Sequence, residues 1–217
     1  MKFSHLLTSL VLVTSGHAIT SQQVADSINT ITELSSETND IAKNISISNI
    51  FSTGPILLNN FKIIVEIAIK DIAVLGGKER RAIEARQESI GTQDRVKRDY
   101  LDEFVEALQS MLELLGGNGK RQVPPPFDNS GQQLICEAFR DFVRVHQILL
   151  NVVIGKHGLL SLTPFTRPIA VVLRTLEGVV DTLAFAIIDL VPICAPGAIS
   201  DKETLDKTLT EAINTYE

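Results

Sequence analysis

The sequence predicts an all-α fold, a disulfide-stapled antiparallel bundle of about five or six helices. Apolar residues recur at spacings of three and four along nearly the whole chain, which is the helical period. Two long apolar patterns, separated by a Gly/Pro-rich break, lie between the only cysteines, Cys136 and Cys194. The 217 residues are 44% hydrophobic and 21% charged, a composition typical of one globular core.

The two cysteines define the expected staple. If the helices between them run antiparallel, the start of the first lies beside the end of the second, where Cys136 and Cys194 fall. We therefore expect them to form a disulfide. The alternative is a pair of unpaired buried thiols.

Residues 1–18 predict a secretory signal peptide. Lys2 precedes an apolar run from Leu6 to Val13, and the small residues Gly16 and Ala18 suit cleavage after Ala18. We expect no transmembrane segment, because the most apolar later stretch, 169–192, carries four charged residues. The predicted location is secreted, extracellular or in a cell wall, which is an oxidising environment.

Residues 19–77 predict the N-terminal helices of the bundle. Val24, Ile28, Ile31 and Leu34 indicate a first helix over about 20–43. Asn44 opens an Asn-Ile-Ser acceptor for glycosylation. A second helix is expected from Pro55, a good first-turn residue, to a Gly76-Gly77 stop.

Residues 78–130 read as a charged, Pro-rich insertion. Two dibasic pairs, at Lys97-Arg98 and Lys120-Arg121, resemble sites of kexin-type processing proteases; the alternative is a solvated charged surface. Between the pairs, a stripe from Leu101 to Leu115 predicts one amphipathic helix, which either packs on the domain or docks on a lipid or partner.

Residues 131–217 predict the C-terminal helices of the same bundle. Ser130 or Asn129 should cap a helix that ends at the Gly155 to Gly158 segment, and Thr163-Pro164 should open the next. Within that next helix a polar stripe of Arg174, Glu177 and Asp181 is expected to face water. A capping box of Ser200 and Glu203 should start the last helix.

The composition and motifs argue against several classes of function. A formal charge of −6 without a basic surface disfavours a nucleic-acid partner. Recognisable hydrolase, metalloprotease and phosphate-loop motifs are absent from the sequence, so we expect no enzyme and no cofactor. His146 and His157 lie eleven residues apart, unlike zinc ligands, and a solvated or capping role is expected for both.

Three stretches carry a resemblance to a known family: Val24 to Ile28 followed by Ile31, Phe142 to Gly158, and Leu205 with Ala212 to Tyr216. They resemble fungal cell wall galactomannoproteins of the hydrophobic surface binding protein A family. The segment Ile154 to Leu160 also looks like a subgroup described as ultraviolet-inducible secreted proteins. Coverage is roughly 19–75 and 130–217, the region 78–126 looks like an insertion, and the Ser/Thr-rich tail of wall-anchored members is missing.

The resemblance implies a secreted, non-catalytic helical bundle that binds hydrophobic surfaces, cell-wall components, or an apolar ligand such as a fatty acid. An excess of apolar residues on the second, fourth and fifth predicted helices could leave a ligand groove, or open to expose one; the alternative is that the same residues form a dry core. The candidate lining is Phe139, Val143, Leu150, Val172, Leu176 and Val179. The alternative function is a secreted effector or signalling precursor processed at the dibasic sites.

Overall fold

The computed structural model describes residues 19–75 and 127–217, and the all-α prediction is confirmed there. Five helices account for most of this part of the chain: α1 (Ser21–Lys43), α2 (Ile50–Leu75), α3 (Asn129–Leu160), α4 (Thr166–Ile188) and α5 (Ala195–Tyr216). The signal peptide, the charged connector, the amphipathic 101–115 stretch and both dibasic pairs lie outside the described residues.

The five helices close into a ring in which α1 neighbours α3, α3 neighbours α5, α5 neighbours α4, α4 neighbours α2, and α2 returns to α1. Helices joined by short loops are antiparallel, so α2 and α4 run opposite to the other three. Two contacts show that α1 and α3 are parallel. Ser21, at the start of α1, lies beside Gly131, at the start of α3, and Lys156 near the end of α3 donates to the Lys43 carbonyl at the end of α1. The bundle is therefore a layer of three parallel helices packed on a layer of two.

A single aliphatic core fills the ring. Val24, Ile28 and Ile31 of α1 are buried, as their spacing predicts, and α2 buries Leu57 and Phe61. Because one face of each helix is apolar and ring closure covers that face, packing supplies most of the helical stability.

The predicted disulfide is confirmed. Cys136 in the second turn of α3 bonds to Cys194, which is the N-cap residue of α5. Close by, the Gln132 side-chain carbonyl accepts from the Ile193 backbone N–H at 3.1 Å. The bond therefore fastens the loop between α4 and α5 to the start of α3, and we call this end of the bundle the disulfide end.

Two helix boundaries differ from the sequence prediction: the start of α2, expected at a proline, and the end of α3, expected at glycines. Helix α2 begins at Ile50, five residues before Pro55, because the Asn49 carbonyl accepts from the Ser52 and Thr53 amides and starts an earlier turn. Helix α3 continues through Gly155 and Gly158 to Leu160. A glycine costs a helix only about 1 kcal/mol, which tertiary packing outweighs.

Two predicted caps are also wrong. The side chain that caps α3 is that of Asp128, which accepts from the Gly131 amide at 2.7 Å, whereas Ser130 only donates to Asp128. Helix α5 starts at Ala195, with Pro196 in its first turn, so Ser200 lies inside it.

Candidate functional site

One end of the bundle exposes large apolar side chains next to one another. It consists of the loop between α1 and α2, the first turn of α2, the last turn of α3, and the loop between α3 and α4. A shallow depression of about 90 Å³ lies among them, lined almost entirely by apolar atoms. We call this set of residues the apolar end: Ile47, Ile50, Phe51, Leu159, Leu162 and Thr163.

Three of these side chains are well exposed. Ile47 is 76% exposed, Phe51 69% and Leu162 73%, whereas Ile50 and Thr163 beneath them are buried. Scattered single apolar residues are normal on protein surfaces, whereas large contiguous apolar patches are typical of interaction sites. This group comes from two loops far apart in sequence, and the ring closure of the bundle brings them together.

Polar contacts hold the α1–α2 loop in place. The Asn49 side-chain carbonyl accepts from the Ser46 amide at 2.8 Å, and its amide group donates to the Asn44 carbonyl at 2.9 Å. From α3, Lys156 Nζ donates to the carbonyls of Lys43 and Ile45, each at 2.8 Å. The ammonium also lies at the negative C-terminal end of α1, where a cation is favoured. The loop therefore presents Ile47 from a fixed backbone.

Aromatic packing holds the other side of the apolar end. The Phe165 ring lies against Gly54 so closely that an added Cβ would come within 2.7 Å of it, which joins the first turn of α4 to α2. The Tyr216 hydroxyl donates to the Val153 carbonyl at 2.7 Å, and the His157 ring meets the Tyr216 ring edge-on at 5.0 Å. The end of α5 is thereby fastened to α3.

The six candidate groove residues have a different position. All of them lie in the core, none more than 3% exposed: Phe139, Val143, Leu150, Val172, Leu176 and Val179. A ligand among them would have to displace existing side-chain contacts, because packed interiors hold few voids of molecular size. The apolar end, in contrast, is already open to solvent.

His146 is buried, contrary to the solvated role expected for it. Its Nδ1 lies 2.9 Å from the Phe142 carbonyl, which can only accept, and its Nε2 lies 3.0 Å from Ser35 Oγ on α1. Burial lowers the pKa of His146 to about 4, although the bond to Phe142 raises it slightly. Ser35 Oγ also lies 2.8 Å from the Ile31 carbonyl. When the His146 ring is neutral, the Ser35 hydroxyl hydrogen can therefore be donated either to His146 Nε2 or to the Ile31 carbonyl.

A serine and a histidine at hydrogen-bond distance form the beginning of a nucleophile and base pair. Here both side chains are enclosed by α1 and α3 and essentially inaccessible, so no substrate reaches the hydroxyl. In residues 19–75 and 127–217, no group of three or more His, Cys, Asp or Glu is placed to hold a metal ion.

The polar stripe on α4 faces a neighbour instead of water alone. Arg174 pairs with Glu217, and Asp181 lies 2.6 Å from Lys202, both across the α4–α5 contact. Lys202 also contacts Asp206 at 2.6 Å. Burial by itself would lower the pKa of Lys202, but the hydrogen bonds to both aspartates outweigh it and the pKa is raised. The stripe thus orients α5 against α4.

Asn44, the predicted glycosylation acceptor, is exposed at the C-terminus of α1. It lies three residues before Ile47, at the edge of the apolar end. Its glycosylation motif is visible in the sequence, whereas Ile47, Phe51 and Leu162 are not among the site residues predicted from it. A usable signal was present, because apolar residues inside Ser/Asn-rich turns cannot contribute to a helical stripe.

By length and composition, the segment Ile50–Ile72 of α2 is also apolar enough to cross a membrane. One such helix is weak evidence for a span, since core helices of soluble proteins pass the same test, although only 33% of its most apolar window is buried here. The sequence prediction names a different stretch, 169–192, as the most apolar one after the signal peptide.

Comparison with known proteins gives no further assignment. No protein-family model matches the chain, and neither a curated protein nor a solved structure matches it. The resemblance to the hydrophobic surface binding family therefore stays a prediction. The fold and site together define a disulfide-stapled five-helix bundle, over the described residues, with an apolar end.

Proposed function

We propose that this protein is a secreted, non-catalytic helical bundle that adsorbs to apolar surfaces through its apolar end. The observation that carries the proposal is the exposure of Ile47, Phe51 and Leu162 beside one another on a loop platform held by Lys156 and Asn49. The disulfide and the signal-like N-terminus support secretion. The fungal wall family resembled by the sequence is compatible with this activity.

We favour adsorption through the apolar end over binding of a fatty acid in the interior of the bundle. Burying a fully exposed Ile, Leu or Phe side chain contributes about 1.5 to 3 kcal/mol. The three exposed side chains are roughly 70% exposed, so their contact with an apolar phase would contribute about 1 to 2 kcal/mol each. An interior ligand would have to break core packing first.

The experiment compares adsorption to methyl-terminated and hydroxyl-terminated monolayers on a quartz-crystal microbalance. The variant Phe51→Ser/Leu162→Ser should lose about 3 kcal/mol of surface contact, which raises the half-saturating concentration about 100-fold. Ile148→Ser is the matched control, because Ile148 is 45% exposed on α3, about 17 Å along the helix from Leu159.

Two outcomes would contradict the proposal. The first is equal binding of the natural chain to both monolayers. The second is a loss in the Ile148→Ser control as large as in the double variant, since adsorption would then not depend on the apolar end. Circular dichroism of each variant checks that the bundle is intact.

A titration with a fluorescent fatty acid tests the interior site separately. Saturable binding that the Phe51→Ser/Leu162→Ser variant retains would assign the ligand to the core around Phe139 and Leu176. Binding that this variant loses would assign the ligand to the apolar end.

A further inference from the structure

The chemistry of Asn44 is compatible with a glycan in the folded protein. Its side-chain nitrogen donates one hydrogen to the Asp40 carbonyl at 2.8 Å, and an amide nitrogen carries two. Glycosylation from a glycosyl pyrophosphate donor forms an Nδ2–C1 bond, breaks the donor's C1–O bond, and removes one Nδ2 proton. One N–H remains on the nitrogen and can donate to the Asp40 carbonyl.

The position of Asn44 fixes the base of such a glycan. The Asn44 carbonyl accepts from Asn49, and the carbonyls on either side of Asn44 accept from Lys156. Ile47 follows three residues later, so the two Cα atoms are at most about 11 Å apart. A glycan on this nitrogen therefore starts from a rigid point at the edge of the apolar end.

We propose that a glycan on Asn44 limits how closely the apolar end approaches a flat apolar surface, and so sets the strength of adsorption. This inference rests on the proposed function. An N-linked glycan is bulky and strongly hydrated. To bring Ile47 into full contact with a flat surface, the protein must tilt or dehydrate the sugars on the α1 side. The glycan hinders surface contact by Phe51 and Leu162 less, because these residues lie on other segments of the apolar end.

The test starts from protein secreted by a eukaryotic host, with Asn44 occupancy measured by intact mass. Enzymatic removal of the glycan, Asn44→Gln and Ser46→Ala each abolish the modification by a different route. All three should lower the half-saturating concentration on a methyl-terminated monolayer several-fold and to the same extent. Thermal unfolding of each sample checks that the loop between α1 and α2 remains formed.

Equal adsorption of glycosylated and unglycosylated protein would overturn the inference, and so would an unmodified Asn44 in the secreted protein. If adsorption in both forms still depends on Phe51 and Leu162, the proposed function survives and only the role of the glycan fails. If neither form prefers the methyl-terminated monolayer, the proposed function itself fails.

Discussion

Acidification should destabilise this bundle through one buried side chain, His146. The imidazole ring is fully enclosed between α1 and α3 and lies against the Phe142 ring, with centroids 4.1 Å apart. The perturbation we consider is a fall in pH from 7 to 4, applied to the natural protein and to His146→Gln. Glutamine keeps a polar side chain at this position but does not titrate.

The magnitude follows from proton linkage. In the unfolded chain the imidazole takes up a proton near its ordinary pKa of 6.5, whereas burial lowers the native pKa to about 4. Between these values the unfolded state binds more protons, so stability falls as pH falls. The difference of about 2.5 units, at 1.36 kcal/mol per unit, gives a loss of about 3 kcal/mol at pH 4.

The assay is urea unfolding at a series of pH values, followed by circular dichroism. Other groups titrate in the same range, so the quantity to compare is the change in unfolding free energy from pH 7 to pH 4 in each protein. The free energy of unfolding should fall by about 3 kcal/mol more in the natural protein than in His146→Gln over this pH range. His157→Gln, which alters the half-buried histidine beside Tyr216, is the matched control for loss of a histidine. Equal pH dependence in the natural protein and His146→Gln would refute the reasoning.

Three further outcomes are expected from unfolding measurements. Cys136→Ser, or reduction of the natural protein, frees a loop of 58 residues and should cost about 4 kcal/mol in the loop-entropy model; an unchanged midpoint under reducing conditions would contradict this. Burial raises the pKa of Asp71 to about 6 despite a hydrogen bond from Ser27, so its contribution to stability is present below about pH 4 and lost as pH rises through 6. Asp71→Asn should therefore gain about 2 kcal/mol on the natural protein between pH 4 and pH 7, and parallel pH curves would show that Asp71 is not responsible. Tyr216→Phe removes the hydroxyl that donates to the Val153 carbonyl, which keeps its bond within α3, and should cost about 0.5 to 1.5 kcal/mol. A loss no larger than that of the surface change Thr215→Val would contradict a stabilising role for this bond.

The sequence was sufficient for the helices and their staple because both depend on local patterns. Spacings such as Val24, Ile28 and Ile31 report a buried helical face directly, and two cysteines allow only one intramolecular pairing. The boundaries were less accurate. The early start of α2 depends on Asn49, and the continuation of α3 past Gly155 depends on packing from other helices, so neither can be read from local propensity.

Apolar residues in turns could be noticed in the sequence, but their meeting at one end of the bundle could not be predicted, for a different reason. Its residues come from two loops more than 100 positions apart, and only the parallel pairing of α1 with α3 brings these loops to the same end. Apolar density predicts a ligand groove beside Phe139 and Val172, but both side chains are buried in the core. His146 was misassigned similarly, because a single histidine in an apolar stripe has no local partner in sequence; Ser35 lies 111 residues away.

The three-against-two arrangement of the helices has an electrical consequence. Each helix carries about half an elementary charge of each sign at its ends. The apolar end gathers the C-termini of α1, α3 and α5 and the N-termini of α2 and α4. Among these five described helices, one macrodipole is therefore left uncompensated, with its negative pole there. Molecules standing on that end would align their dipoles, and a dense monolayer would shift the surface potential of an oil–water interface in one direction.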